Sequence, residues 1–249
     1  MKEIQIRKND AGQRLDRFVG KAVPLLPESL LQKYIRLKRI KRNGKGAKRD
    51  VRLVEGDVLQ LYINDEFFER PTEENAWLKI ATPRLDIVYE DENILLADKK
   101  PGVLCHSAGE WSWDTLISNI QAYLRQSGEW DPKAENAFTP ALCNRIDRNT
   151  GGIVIAAKNA EALRILNDKI RDREIDKAYL CVVCGRPKPA EGRLEGYLFK
   201  DAVKNQVYVT KKPQPGAKSA ATEYRTLQSR KGLSLVECRL LTGRTHQIR

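Results

Sequence analysis

The chain has 249 residues, 41% of them hydrophobic, and a formal net charge of +12 with a sequence pI near 9.5. No run approaches the ~18 consecutive apolar residues that a membrane helix needs. The opening MKEIQIRKND also lacks the apolar core of a signal peptide, so no membrane role or export is indicated and the cytoplasm is the default. The charge points to a polyanionic partner, and the length exceeds the usual span of one domain, roughly 100–200 residues.

Taken in order, Leu15, Phe18, Val19 and Ala22 recur at helical spacing within residues 14–26, and Pro24 and Pro27 end that helix. A second helix is predicted from Glu28 or Ser29. Leu30, Leu31, Tyr34, Ile35 and, at its end, Leu37 turn inward, while Lys33, Arg36, Lys38 and Arg39 project outward. Asn43-Gly44 marks a turn, and VRLVEGDVLQLYI adds Gly56-Asp57 before an alternating strand. The charge is concentrated here: from Lys33 to Arg52 ten basic residues face one acid, Asp50, a net +9 of the total +12.

The stretch IRLKRIKRNGKGAKRDVRLVEGDVL resembles the small RNA-binding domain first known from a small-subunit ribosomal protein, the S-four type. That resemblance implies a small N-terminal α/β RNA-binding domain over residues 1–70, with Arg36, Lys38, Arg39, Lys41, Arg42 and Lys45 facing RNA. One residue departs from the pattern, since Lys38 stands where the turn commonly holds Gly. A left-handed lysine costs on the order of 1 kcal/mol, so a different local turn is expected here. The plainer alternative is a basic globular cap with no RNA partner.

Residues 66–83, EFFERPTEENAWLKIATP, mix acids, two prolines and aromatics, and 71–83 reads as a linker. Beyond it, strands are predicted at Ile87–Tyr89, Ile94–Ala97, Gly152–Ala157, Ala178–Val183, Gln206–Val209 and Leu233–Leu241, with one clear helix at Ala160–Ile170. This order predicts an α+β domain over 84–249, a mixed, largely antiparallel sheet with flanking helices. No GxGxxG, P-loop or repeat appears. Five cysteines (105, 143, 181, 184 and 238) sit among apolar neighbours and read as buried thiols. The lone Cys181-x-x-Cys184 has neither a second pair nor nearby histidines to complete a metal site.

Three stretches carry the chemistry: DKKPGVLCH, NRIDRNTGGIVIAAKN with the following KAYLCVVCG, and LLTGRTHQIR. In this order they resemble the RluA-type pseudouridine synthases over residues 84–249. In that family an Arg-x-Asp turn enters a buried strand, a Tyr follows about thirty residues later, and a Gly-Arg-Thr-His-Gln-hydrophobic-Arg segment closes the site. Here these are Arg145 with Asp147, Tyr179, and Gly243 to Arg249. Asn144 stands where the family commonly has His, and Gly151 where it commonly has Ser. Family members also usually continue past the position of Arg249, so the C-terminal part of the domain is expected to be missing from this chain.

The resemblance implies the isomerisation of uridine to pseudouridine in RNA, with no cofactor and no metal. Asp147 is then the catalytic carboxylate, either a nucleophile toward the anomeric carbon or a base that opens a glycal route. Flanking guanidinium groups favour its ionised form. Arg249 is implied as its partner, Tyr179 as the ring that stacks on the extruded uracil, and Arg145 as the cation that helps extrude the nucleotide. Arg148 reads as a surface charge, His246 as architectural, and Gly151 and Gly152 as allowing close backbone packing.

Lys99, Lys100, His106 and Arg244 are candidate substrate contacts, and Lys200, Lys204, Lys211, Lys212 and Lys218 flank a hairpin that could grip RNA backbone. Singly, Asp147 would be a turn residue, Tyr179 a strand residue and Arg249 a solvated terminus; the three motifs together favour the catalytic reading. Large-subunit ribosomal RNA is the expected substrate and transfer RNA the runner-up, acted on by a monomer. The rival classes are a non-catalytic RNA-binding or ribosome-assembly factor and a glycosidase, for which no second acid accompanies Asp147.

Overall fold

A computed structural model of the chain describes residues 1–68, 76–107, 112–201 and 206–249. Residues 71–75 of the expected linker, and Lys204, lie outside these described residues. The chain divides into two compact units, Met1–Asp168 and Lys169–Arg249.

The first unit opens with β1 (Lys2–Gln5), α1 (Leu15–Ala22), α2 (Glu28–Arg36), β2 (Ile40–Arg42), β3 (Lys45–Gly46) and β4 (Val58–Leu61). Leu15, Phe18 and Val19 bury the predicted stripe of α1, which stops at Ala22 because Val23, preceding Pro24, is forced out of the helical region. On α2 the inward face is Leu31, Tyr34 and Ile35; Leu37, expected inward, is 56% exposed at the helix end. The four strands pair antiparallel in the order β1-β4-β2-β3. Asn43 and Gly44, at φ 51° and 79°, make the two-residue hairpin turn between β2 and β3 whose twist matches the strands.

Asp57, buried beneath this hairpin, pairs with Arg42 at 2.6 Å and accepts hydrogen bonds from the Val54 N–H and the Asn43 amide, both at 2.8 Å. Burial works against its charge, but these donors outweigh burial and hold its pKa below the ordinary carboxylate value.

The turn after α2 differs from expectation. The Arg39 N–H donates to the Tyr34 carbonyl at 2.9 Å and the Lys38 N–H to the Ile35 carbonyl at 3.0 Å, with Lys38 at φ 56°. This is the glycine-type helix stop, adopted by a lysine. A Cβ added at Gly46 would come within 2.9 Å of Lys38 Cγ, so Gly46 makes room for the lysine stem that offsets part of the strain. Lys38→Gly is expected to stabilise the chain by roughly 0.5–1 kcal/mol in thermal denaturation while weakening RNA binding, because strain and charge leave together. An unchanged or lower Tm would show that stem packing dominates.

The remainder of this unit holds β5 (Ile87–Glu90), β6 (Ile94–Lys99), α3 (Leu116–Gln126), β7 (Ala141–Leu142), β8 (Gly152–Ala157) and the start of α4 (Ala160–Arg171). Its sheet runs β5-β6-β8-β7, again antiparallel. A second core gathers Leu95, Ala97, Ile120, Leu124, Val154 and Ala156. Trp77 and Ile80, from the stretch read as a linker, enter it, and Trp77 meets Trp130 edge-on at 5.6 Å. β8 is not buried throughout, because Ile153 is 44% exposed while Val154 and Ala156 are fully covered.

The second unit is a five-stranded antiparallel sheet in the order β11-β10-β12-β13-β9, from β9 (Ala178–Cys184), β10 (Glu191–Asp201), β11 (Gln206–Thr210), β12 (Ala217–Arg230) and β13 (Leu233–Leu240). The α+β class therefore holds, with only antiparallel pairings among the described strands.

Candidate active site

Asp147 sits in the turn that feeds β8, and that turn is fixed by its backbone. Three successive carbonyls each find a donor: Ile146 from the Cys105 thiol at 3.4 Å, Asp147 from the Thr150 N–H at 3.1 Å, and Arg148 from both Lys99 Nζ at 3.0 Å and the Gly102 N–H at 2.8 Å. Upstream, Asn144 Oδ1 accepts the Ile155 N–H at 2.8 Å and the Cys143 N–H donates to the Ile155 carbonyl at 2.8 Å. Asn144, noted from sequence only as a departure, thus stitches the turn to β8. A Cβ at Gly151 would lie 3.2 Å from Pro101 Cδ and 3.5 Å from the Lys99 carbonyl oxygen, so close packing is what this glycine provides.

Lys99 requires a correction. It was expected to meet substrate, but it is 1% exposed, and its ammonium donates to the carbonyls of Lys100 at 3.1 Å, Val103 at 2.9 Å and Arg148 at 3.0 Å. Burial lowers its pKa, against the pull of Cys105 and of the Asp147 carboxylate. Its ammonium thus holds the backbone on either side of the Asp147 turn instead of facing solvent. Lys100 is committed as well, bound to Asp86 at 2.8 Å and Asp98 at 2.9 Å, and its pKa is raised by those hydrogen bonds.

Arg145 is exposed beside His106. The ring of His106 keeps an exposed edge, but protein packed around it, and then the charge of Arg145, hold its pKa below the ordinary value. At neutral pH this pair therefore presents a fixed guanidinium next to a neutral imidazole. Arg148, read as a surface charge, is exposed and turns its Nε back to the Gly102 carbonyl at 3.1 Å.

In the second unit Tyr179 lies half-buried on β9, opposite Cys238 of β13. The segment Gly243 to Arg249 is tied to β12 by a residue that sequence reasoning did not single out. Gln247 Nε2 donates to the Ala221 carbonyl at 3.0 Å and to Thr222 Oγ1 at 2.9 Å, while its Oε1 accepts from Thr242 Oγ1 at 2.8 Å and the Arg244 N–H at 3.0 Å. Arg244 spends its Nε on the Ser219 carbonyl at 2.9 Å, so it anchors the segment. His246 turns the chain at φ 57°, and the Arg249 N–H donates to its carbonyl at 3.1 Å. The cysteines are thiols: burial pushes Cys143 up to about 11, and burial with the neighbouring Cys181 pushes Cys238 up to about 12.

The basic hairpin and the residues after it enclose an open cleft of about 580 Å³ lined by Arg42, Lys45 and Lys48, by one acid, Asp50, and by Asn43, Gly46, Ala47 and Val51. Arg36, Lys38, Arg39 and Lys45 are exposed. Arg39 lies over the Tyr34 ring at 4.4 Å and Lys41 over Tyr62 at 5.3 Å. Arg42, also expected to face RNA, is instead drawn inward by Asp57. Lys200, Lys211, Lys212 and Lys218 are exposed in the second unit.

Comparison with known proteins agrees with this reading of the motifs. The family model described as RNA pseudouridylate synthase matches residues 93–249, well over half of the chain. An uncharacterised RNA pseudouridine synthase of Mycoplasma genitalium is 33% identical over 98% of this chain and 75% of that protein. Ribosomal large subunit pseudouridine synthase C of Escherichia coli K12 is 28% identical over the whole of this chain and 75% of its own length. Human RNA pseudouridylate synthase domain containing 4 shares the fold with a TM-score of 0.53, at 21% identity, over 71% of this chain and 66% of that one. The chain belongs to the RNA pseudouridylate synthase family, RluA type, and is a pseudouridine synthase, an isomerase.

Proposed function

We propose that the chain isomerises specific uridines of large-subunit ribosomal RNA in the cytoplasm, as a monomer, with Asp147 as its catalytic carboxylate. The observation that carries this reading is the Asp147 turn, in which three consecutive carbonyls are held and the carboxylate lies within electrostatic reach of the buried Lys99 ammonium. The choice of substrate is supported by relatives whose names specify the ribosomal large subunit.

The reaction breaks the bond between ribose and the base nitrogen, turns the base, and rejoins it through carbon 5, which gives up its hydrogen as a proton. No electron is gained or lost. Asp147 acts on the sugar, as nucleophile or as base; Arg145 helps to hold the nucleotide out of its helix. Tyr179 and Arg249 keep the roles that the family resemblance gives them, ring for the extruded base and cation for the carboxylate.

Residues 1–70 are proposed as the S-four-type RNA-binding domain, with Arg36, Lys38, Arg39, Lys41 and Lys45 on the backbone phosphates, and 84–249 as the catalytic domain. Mapping pseudouridines in cellular RNA with and without the gene tests the substrate. Loss of one or a few large-subunit positions is expected. Loss confined to transfer RNA would move the target, and no loss anywhere would favour a binding-only factor.

A further inference from the structure

Within the first unit, the N-terminal core and the second core meet along a polar seam. Asn136 Nδ2 donates to Asp10 Oδ2 at 2.7 Å and to the Gln5 carbonyl at 2.9 Å, and Asn9 Nδ2 donates to Glu135 Oε1 at 2.7 Å. Asn9 Oδ1 accepts the N–H of Ala160, the first residue of α4, at 3.3 Å. Ala137 packs into the N-terminal core. One turn into α4, Arg164 Nη1 donates to the Ala11 carbonyl at 2.9 Å, and its guanidinium carbon would lie 3.5 Å from a Cβ placed on Gly12. Arg164 therefore reaches the loop that leads into α1, which carries the exposed Arg17 and Lys21.

We propose that Arg17, Lys21 and Arg164 form a second contact for the phosphate backbone of the RNA substrate, separate from the basic hairpin and completed by Arg164 where the two cores are docked. The proposal rests on the reading of the chain as an enzyme of RNA.

Charge accounting supports this cluster as an anion contact. Lys21 Nζ donates to the neutral Gln13 Oε1 at 2.9 Å and Arg164 to a neutral carbonyl, and among the described residues no carboxylate pairs with Arg17, Lys21 or Arg164. Two acids on the α1 side of the cluster are engaged by other groups. Asp10 is fully buried against Asn136 and the Arg7 N–H, and Asp16 is paired with Arg14 at 2.6 Å. Several cations elsewhere are matched, Lys100 with Asp86 and Asp98, Lys158 with Glu90 and Glu129, Lys169 with Glu174, Arg225 with Glu237 and Arg239 with Asp176, whereas this cluster shares its lack of carboxylate partners with the exposed lysines of the basic hairpin.

Three like charges gathered without a paired carboxylate repel one another. Consistent with this, burial first and then Arg164 and Arg17 lower the pKa of Lys21, against the pull of Asp10. A phosphate run supplies the missing negative charge, and on a chain of net charge +12 it extends the polyanion track that the hairpin begins.

The test uses the full chain with Arg17→Gln and Lys21→Gln combined, titrated with a large-subunit ribosomal RNA fragment from 50 to 200 mM salt. The slope of log affinity against log salt is expected to fall in magnitude by about 1.4–1.8 units for two lost phosphate contacts. The charge-keeping pair Arg17→Lys and Lys21→Arg is expected to retain the wild-type slope, which a purely structural role would not require. A wild-type slope in the Gln pair overturns the proposal, and if turnover persists the enzyme reading still stands. A wild-type chain that binds RNA without turnover breaks the enzyme reading and leaves the salt slopes to decide the phosphate contact. Absence of RNA binding by the wild-type chain would overturn both.

Discussion

Asp147→Asn is expected to lower pseudouridine formation by at least about 10⁴-fold while RNA affinity stays within about threefold of wild type. The amide neither attacks an anomeric carbon nor accepts a proton from the sugar, so both chemical routes close together. Binding survives because the turn is held through the carbonyls of Ile146, Asp147 and Arg148, none of which the substitution touches. Removing a negative charge from a basic surface tightens binding, if it changes it at all. Single-turnover assays beside RNA titrations separate the two quantities. Turnover within tenfold of wild type would take Asp147 out of its role.

Lys99→Met acts on the same chemistry from below. Methionine approximates the volume of the lysine stem but removes the ammonium that serves the carbonyls of Lys100, Val103 and Arg148. Hydrogen bonds to a charged donor are worth about 1.5–3 kcal/mol each. Relief of the buried charge returns part of this, since burial disfavours the protonated form and lowers its pKa. A net loss of about 3 kcal/mol is expected, a fall in Tm of roughly 10 °C for a chain of this size. Of the two donors to the Arg148 carbonyl only the Gly102 N–H remains, so the turn loosens and turnover falls about 10²-fold, below the chain's melting temperature and with RNA affinity near wild type. A surface role for Lys99 would instead weaken RNA binding and leave Tm alone.

Much of the architecture was readable from local signals. Asn43-Gly44 announces its hairpin turn, Gly152–Ala157 is the expected strand, and the apolar spacing along α1, α2 and α4 sets where those helices start to within a residue or two, although α1 and α2 end a few residues short. The misses have physical causes. In α3, Leu116, Ile120 and Leu124 repeat every four residues, but buried Ser118 and Asn119 interrupt the apolar face. Ser118 is satisfied by Thr115 and the Trp113 carbonyl, while Asn119 is satisfied by Thr115, Asp114 and the Arg84 N–H, partners that the periodicity does not reveal. No strand is predicted over β10, where Gly192 and Gly196 weaken the strand signal yet serve close approach by the Tyr224 ring and the Thr210 carbonyl.

For the site, the order of the motifs placed Asp147, Arg145, Tyr179 and Arg249 on particular elements, yet misjudged the lysines. Lys99 and Lys100 are adjacent and look alike in sequence. One is buried because the Arg148 carbonyl, forty-nine residues away, comes to meet it, and the other lies at the surface between two aspartates. Lys38 shows the converse: its left-handed turn was judged too costly, and Gly46 on the neighbouring strand makes room for it. The seam of Asp10 with Asn136, separated by 126 residues, has no local signature at all.

The most direct measurement is the release of tritium from ribosomal RNA labelled at carbon 5 of uridine, because that hydrogen leaves when the carbon takes up the ribose. The account predicts release that rises to a plateau of one or a few equivalents per large-subunit RNA with the wild-type chain, and none with Asp147→Asn. Release by Asp147→Asn at the wild-type rate, or no release from any RNA by the wild-type chain, would contradict it.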